Sequence, residues 1–173
     1  MIYMDYKARL LPTREALLQD SLSGKIDSNI VDVDLVLSLL ATTDLLRAQI
    51  YDVLSKEHDV SEGKFILLMS LYREGETSSN DLALRIGVKP ATVSIMIKRM
   101  LSTSEPFVQI SHDHSRKNSH RLISLTQVGI HFIRKTLPNH SQKISEFSQS
   151  LSEKEKEACI EILHKLLKIP QKE

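Results

Sequence analysis

Between Ile30 and Ser55 the chain reads IVDVDLVLSLLATTDLLRAQIYDVLS, a helical pattern whose apolar residues occupy more of the circumference than one packed face requires. At 1.5 Å per residue such a helix spans roughly 40 Å. Val33, Val36, Leu37, Leu40, Leu45, Ile50, Tyr51 and Leu54 are joined by Leu35, Leu39 and Leu46, so two sides of the helix need cover. Packing within the chain together with a partner subunit would provide it. Asp32 and Asp34, two residues apart on this helix, lie on different faces and do not converge as a catalytic pair.

The rest of the chain suits such a frame. Its 173 residues suffice for one domain, or for one domain with an appended module, and 41% apolar with 26% charged side chains is a globular balance. Only five glycines and five prolines favour long helices over a many-stranded sandwich. A single cysteine makes no internal disulfide and reads as a reduced, cytoplasmic thiol. No apolar run reaches the length of a membrane span, and the opening MIYMDYKARLLP lacks the apolar stretch of a signal peptide.

Punctuation divides what surrounds the long helix. Residues 1–29 read as an extension carrying one short helix, TREALLQDS, capped by Thr13 and followed by the loop SGKIDSN. Ser61 caps a second helix, SEGKFILLMSLYRE, which stops at Gly75. Ser78 with Asp81 opens a short helix over 79–86, closed by Gly87. Pro90 suits the first turn of the next, PATVSIMIKRMLS, whose Val93, Ile97 and Met100 form a core-facing stripe. Two alternating runs follow, FVQIS at 107–111 and RLISL at 121–125, with the polar stretch HDHSRKNSH between them, as in a β-hairpin with a long exposed tip. Thr126 caps another long helix, in which Pro138 predicts a kink or break. Ser152 and Glu155 form a capping box before a final helix bearing Ala158, Ile160, Ile162, Leu163, Leu166 and Leu167.

The net charge of +1 conceals an asymmetry. Residues 1–63 carry 6 basic against 11 acidic side chains, whereas residues 85–121 carry 7 basic (Arg85, Lys89, Lys98, Arg99, Arg116, Lys117 and Arg121) against Glu105 and Asp113. That basic segment coincides with a helix, a tight turn, a second helix and a hairpin. Such a unit lays one helix N-terminus in a DNA major groove while a basic loop reaches the adjacent minor groove. Lys89, Pro90, Ala91, Thr92, Ser94 and Ile95 lie at the leading end of the second helix, where short polar and methyl-bearing side chains approach base edges. Lys98 and Arg99, further along, suit phosphates.

The runs SSNDLALRIGVKPATVSIMIKRM and FVQISHDHSRKNSHRLISLTQVG resemble the MarR family of winged helix-turn-helix regulators, which show a similar L-A-x-x-[IL]-G-V-x-x-x-T-V core and a wing ending in L-[IV]-x-L-T-x-x-G. The resemblance covers about residues 30–168 and is sharpest from Asn80 to Gly129. It implies a mainly α fold with a small β-hairpin wing. The DNA-binding lobe would lie at about 61–125, inside dimerisation helices at about 30–56 and 127–168, with a tail at 169–173. It further implies a homodimer on a palindromic operator, more often a repressor than an activator, without a cofactor or enzymatic activity.

In the family an Asp-x-Arg wing places its Arg in the minor groove. Here Asp113-His114-Ser115-Arg116 is one residue looser, which makes Arg116 the first candidate, with Lys117 and Arg121 as alternatives. The family also suggests a small aromatic or phenolic effector, for which Arg47, Tyr51 and His58 are candidate contacts.

Some relatives sense peroxide through a cysteine near the start of the long helix, but Cys159 falls in the last helix and reads as a packed thiol. His112, His114 and His120 could also ligate zinc, although no cysteine or regular paired spacing supports a site. His131, His140 and His164 read as surface or interface residues. P-loop, G-x-S-x-G, H-E-x-x-H and G-x-G-x-x-G motifs are absent from the sequence. Two further classes compete with DNA reading: a dimeric winged-helix adaptor and a metal-responsive sensor.

Overall fold

The structure, a computed structural model of the chain, describes residues 12–24, 29–113 and 120–168. Two compact units divide at a point inside one helix, residues 1–133 forming the first and 134–173 the second. Among the described residues no helix is long and apolar enough to cross a membrane.

The first unit opens with α1 (Arg14–Leu22), whose N-cap Thr13 accepts a hydrogen bond from the Ala16 amide. Leu17 of α1 is buried, and Arg14 pairs with Asp34 of α2 (Ile30–Leu46) at 3.9 Å. The expected unbroken helix over 30–55 is interrupted. After α2 comes a π turn at Arg47–Tyr51 and then α3 (Asp52–His58). The wide turn falls where burial changes: Val36, Leu40 and Leu45 before it are exposed, while Ile50 and Leu54 are buried. Hydrophobic periodicity does not register one extra residue in a turn, so the sequence pattern ran straight through it.

Asp59 ends α3 in the left-handed conformation, at φ 51°. Ser61 then caps α4 (Glu62–Glu74), which buries Phe65, Leu67, Leu68 and Leu71 and stops at Gly75, where φ is 80°. The Ser78 hydroxyl accepts from the Asp81 amide and donates to its carboxylate at 2.7 Å, opening α5 (Ser79–Ile86). The left-handed Gly87 closes it at φ 68°, and α6 (Pro90–Leu101) follows with Pro90 in its first turn. Ser61, Ser78 and Gly87 all cap as their sequence context predicts.

The hairpin is β2 (Val108–Asp113) against β3 (His120–Leu125), paired antiparallel from Val108 opposite Leu125 to Asp113 opposite His120. Its sheet has a third strand that the sequence does not announce. Thr77–Ser78, here β1, pairs with the other edge of β3, giving the order β1-β3-β2. Two residues are too few to display an alternation.

One joint fixes the wing to the helix that follows, α7 (Gln127–Ser148). The Thr126 amide donates to the Phe107 carbonyl at 3.0 Å and its hydroxyl to the Pro106 carbonyl at 2.7 Å, while the same hydroxyl accepts from the Gly129 amide. A Cβ at Gly129 would run into the Phe107 carbonyl oxygen. The T-x-x-G that ends the wing is thus a cap and a close backbone approach in four residues. Beneath it Phe65, Leu68, Leu82, Val93, Val108, Ile123 and Ile133 form one continuous core.

In the second unit α7 continues through Pro138 to Ser148, so the expected break does not occur. Proline removes one N–H from the helical ladder and clashes with the preceding turn, and a 22-residue helix absorbs this. The Ser152–Glu155 capping box forms as expected and opens α8 (Glu153–Leu167). None of the described residues of α8 is buried, and Ile160, Ile162, Leu163, Leu166 and Leu167 stand exposed. The final residues, 169–173, lie outside the described part.

Candidate nucleic-acid interface

The helix α6 divides its residues by depth. Val93, Ile97 and Met100 are at most 4% exposed and seat it on the core, as their spacing predicts. Lys89, Pro90, Ala91, Thr92, Ser94, Ile95, Lys98 and Arg99 are all exposed on the remaining circumference. Lys89, the N-cap, offers no side-chain acceptor to the first-turn amides. Pro90 has no N–H and the Thr92 and Val93 amides donate to the Lys89 carbonyl, so in that turn the Ala91 amide and the positive end of the helix dipole are left for an outside acceptor. The Ser94 hydroxyl donates to the Pro90 carbonyl at 3.1 Å and keeps its acceptor lone pairs for another partner.

Strand register decides which wing residues face this helix. Val108 and Leu125, Ile110 and Ile123, and His112 and Arg121 are opposed pairs of one parity, and Val108 and Ile123 are buried in the core. Side chains alternate along a strand, so Arg121 continues the core-facing row outward to solvent. There it lines a groove of about 310 Å³ between α6 and the sheet, with Ser79, Ser94, Ile97, Lys98, Leu101, Ile110 and Ile123. Two cations and two hydroxyls stand over an apolar floor, and no carboxylate is among the lining residues.

The basic segment is not uniformly available to a ligand. Arg85 is held by Glu74 at 3.0 Å. Lys89, Lys98, Arg99 and Arg121 have no carboxylate partner among the described residues. Of the sequence candidates, the structure thus brings Ser94, Lys98 and Arg121 to one groove and leaves Lys89 to Thr92 along the leading turn of α6. Arg116, Lys117 and His114 lie outside the described residues, and Asp113 is described only as the last position of β2. Ser79 was missed: as the residue after a cap serine it carries no chemical pattern of its own, and only the fold turns it toward the groove.

Register also bears on the zinc candidates. His112 is opposite Arg121 and His120 opposite Asp113, so the two histidine positions have opposite parity in the hairpin.

The effector candidates divide between two places. Arg47, in the π turn, pairs with Glu62 at 3.0 Å. Tyr51, one turn on, meets Phe65 edge-on at 6.4 Å, and burial together with the Glu62 charge pushes its phenol above the usual range, keeping it a neutral donor. His58 is elsewhere. Its ring meets Phe132 edge-on at 5.5 Å and lines a smaller cavity beside Val60, Met100 and Phe107.

Cys159 is exposed on α8, not packed as its apolar neighbours suggested, because the apolar side chains of α8 are themselves uncovered. His131 and His164 are exposed as expected, whereas His140 is half-buried and its imidazole is shifted below the usual value by that burial.

The description of the MarR family matches residues 60–104, which run from the start of α4 through α6. The HTH-type transcriptional repressor YetL of Bacillus subtilis (strain 168) is 31% identical over 106 residues, covering 60% of this chain. The matched part spans 62% of that relative's length. Among solved structures, Sco3205 of Streptomyces coelicolor, a MarR family transcriptional regulator in complex with DNA, shares the fold with a TM-score of 0.68 at 18% identity, over 78% of this chain and 88% of that one. BpsR of Bordetella bronchiseptica, whose DNA binding is regulated by 6-hydroxynicotinic acid, shares it with a TM-score of 0.61 at 20% identity, over 80% and 98%. Along residues 60–104 the chain matches the MarR family, and it shares its fold with solved regulators of that description.

Proposed function

We propose that the chain is a cytoplasmic, dimeric, sequence-specific DNA-binding transcriptional regulator that acts as a repressor. The observation that carries this reading is the groove beside α6, where Lys98 and Arg121 face a common space with Ser79 and Ser94 and no carboxylate lines it. A phosphodiester is the ligand such a lining suits. The exposed leading turn of α6 then offers Ala91, Thr92, Ser94 and Ile95 to base edges in the major groove. For the flanking minor groove the candidates are those of the sequence, Arg116 first, with Lys117 or Arg121 in its place.

Dimerisation is supported by the uncovered apolar residues of α2 and α8, since exposed apolar surface on this scale marks an interaction site. A two-fold dimer presents two α6 helices to half-sites about one helical turn apart. The DNA-bound Sco3205 and the repressor YetL support the same role here. Relief by a small aromatic or phenolic effector accords with the regulation of BpsR, and Arg47 with Tyr51 are its candidate contacts.

Selection of bound fragments from random DNA, followed by anisotropy titrations across salt concentrations, tests the reading. A palindromic site with steeply salt-dependent affinity is expected. An absence of sequence-selective binding would leave the winged-helix adaptor. Bound zinc whose chelation changes DNA affinity would point to the metal sensor.

A further inference from the structure

A second cavity, of about 190 Å³, lies on the winged lobe away from the α6 groove and from the Arg47–Tyr51 cluster. Its floor is apolar, made by Val60 and Met100, both buried, and by Phe107, which stacks on Phe132 at 4.8 Å. At below the ~300 Å³ of drug-sized sites, it suits a small molecule.

The rim carries charge of both signs. On one side stands Lys64, in the first turn of α4, with its ammonium held over the cavity by a hydrogen bond to the Asp59 carbonyl at 3.2 Å. His58 is near it on the lining, its Nε2 3.8 Å from the Glu57 carboxylate. On the other side Met100 belongs to the last turn of α6, and Thr103, Ser104 and Glu105 follow directly. The Thr103 hydroxyl donates to the Met100 carbonyl at 2.9 Å, so its acceptor lone pairs remain available.

The cavity is thus lined by Lys64, from the first turn of α4, and by Met100, Thr103, Ser104 and Glu105, at and just after the end of α6, so that a cation near a helix start and a carboxylate near a helix end share one lining. Helix ends favour opposite charge within their last turn. A mono-anion would leave the Asp59 and Glu105 carboxylates unmatched, and a mono-cation would leave the Lys64 ammonium unmatched. A molecule with both charges satisfies both ends.

From this juxtaposition we propose that the cavity binds a small zwitterion of the α-amino acid class. The carboxylate lies toward Lys64 and the start of α4, the ammonium toward Glu105 and the end of α6, and the side chain on Val60, Met100 and Phe107. The site goes beyond the DNA-binding reading and does not depend on it.

Calorimetric titration of the intact chain with the free proteinogenic amino acids tests the proposal, with the N-acetyl and carboxamide derivatives of each as controls. At least one free amino acid is expected to bind at millimolar concentration or below, with both derivatives at least tenfold weaker. Lys64→Met and Glu105→Gln should each weaken binding at least tenfold, with circular dichroism spectra and thermal midpoints matching the parent chain. No binding of any free amino acid up to 10 mM, equal binding of the blocked derivatives, or undiminished binding by both variants would overturn the proposal. Operator binding measured without added ligand reports on the DNA reading separately.

Discussion

The winged lobe and the outer helices are similarly rich in apolar residues and treat them in opposite ways. In α4 and α6 the apolar stripes sink to 4% exposure or less, because the partners that cover them lie in the same lobe: Leu68, Val93 and Ile97 belong to one core with Val108 and Ile123. In α2 and α8 comparable residues stand open, Val36 and Ile162 at 54% each. Periodicity says that a face needs cover but not where the cover comes from. The lobe is complete within the chain, whereas the outer helices carry surface that the dimer proposed above would bury.

Paired truncations attack this contrast most directly. Leu68→Ala, at a fully buried site, is expected to cost about 2–5 kcal/mol in urea unfolding at any protein concentration. Leu166→Ala on α8 should cost under ~0.5 kcal/mol at high dilution, and more as concentration rises, because it acts through association. Equal, concentration-independent losses would erase the distinction between the regions.

The joint at the base of the wing comes next in size. Gly129→Ala drives a Cβ toward the Phe107 carbonyl, backbone that is itself held by the Thr126 amide, so neither side moves easily. A loss of about 1–3 kcal/mol in urea unfolding is expected. A neutral result would mean that the wing slides on α7 without strain.

Within the basic segment the contrast is between cations with and without a carboxylate partner among the described residues. Lys98→Ala and Arg121→Ala should each weaken operator binding by about 1 kcal/mol and reduce the salt slope by about 0.9. Arg85→Ala should leave that slope nearly unchanged, since Glu74 already holds the guanidinium. A slope that falls equally for all three would assign DNA contact by sequence position instead of by pairing.

Much of the lobe was legible because its signals are local. Ser61, Ser78 and Gly87 act within a turn of themselves, and the stripe of Val93, Ile97 and Met100 needs only the 3.6-residue period. What stayed hidden depends on distant partners or on shifts of a single residue. The π turn at Arg47–Tyr51 leaves the apolar spacing nearly intact, and Thr77–Ser78 becomes a strand only because β3 lies beside it. The α6 residues of the candidate interface were likewise readable from the chain, but the joining of Lys98 to Arg121 across a groove is a product of hairpin register. Arg85 adds to the charge of the basic segment, but its pairing with Glu74, from a different helix, is not visible in the chain's order.

The smallest effect separates helices held by packing from those held by their caps. The first turn of α8 has no buried side chain and is opened by Ser152, whereas α5, opened by Ser78, also buries Leu82 and Ala83. Hydrogen bonds from the Ser152 hydroxyl, and then from its backbone amide at 2.8 Å, hold the Glu155 carboxyl below the usual value. A carboxyl depressed in the folded state adds stability that is fully present above its unfolded pKa and is lost as pH falls through the folded one. Amide exchange in the first turn of α8 should therefore accelerate relative to α5 as the solution is acidified through the carboxylate range. Ser152→Ala should bring that faster exchange to neutral pH and flatten the acid response. An acid response that persists in Ser152→Ala would show that α8 is held by contacts other than its cap.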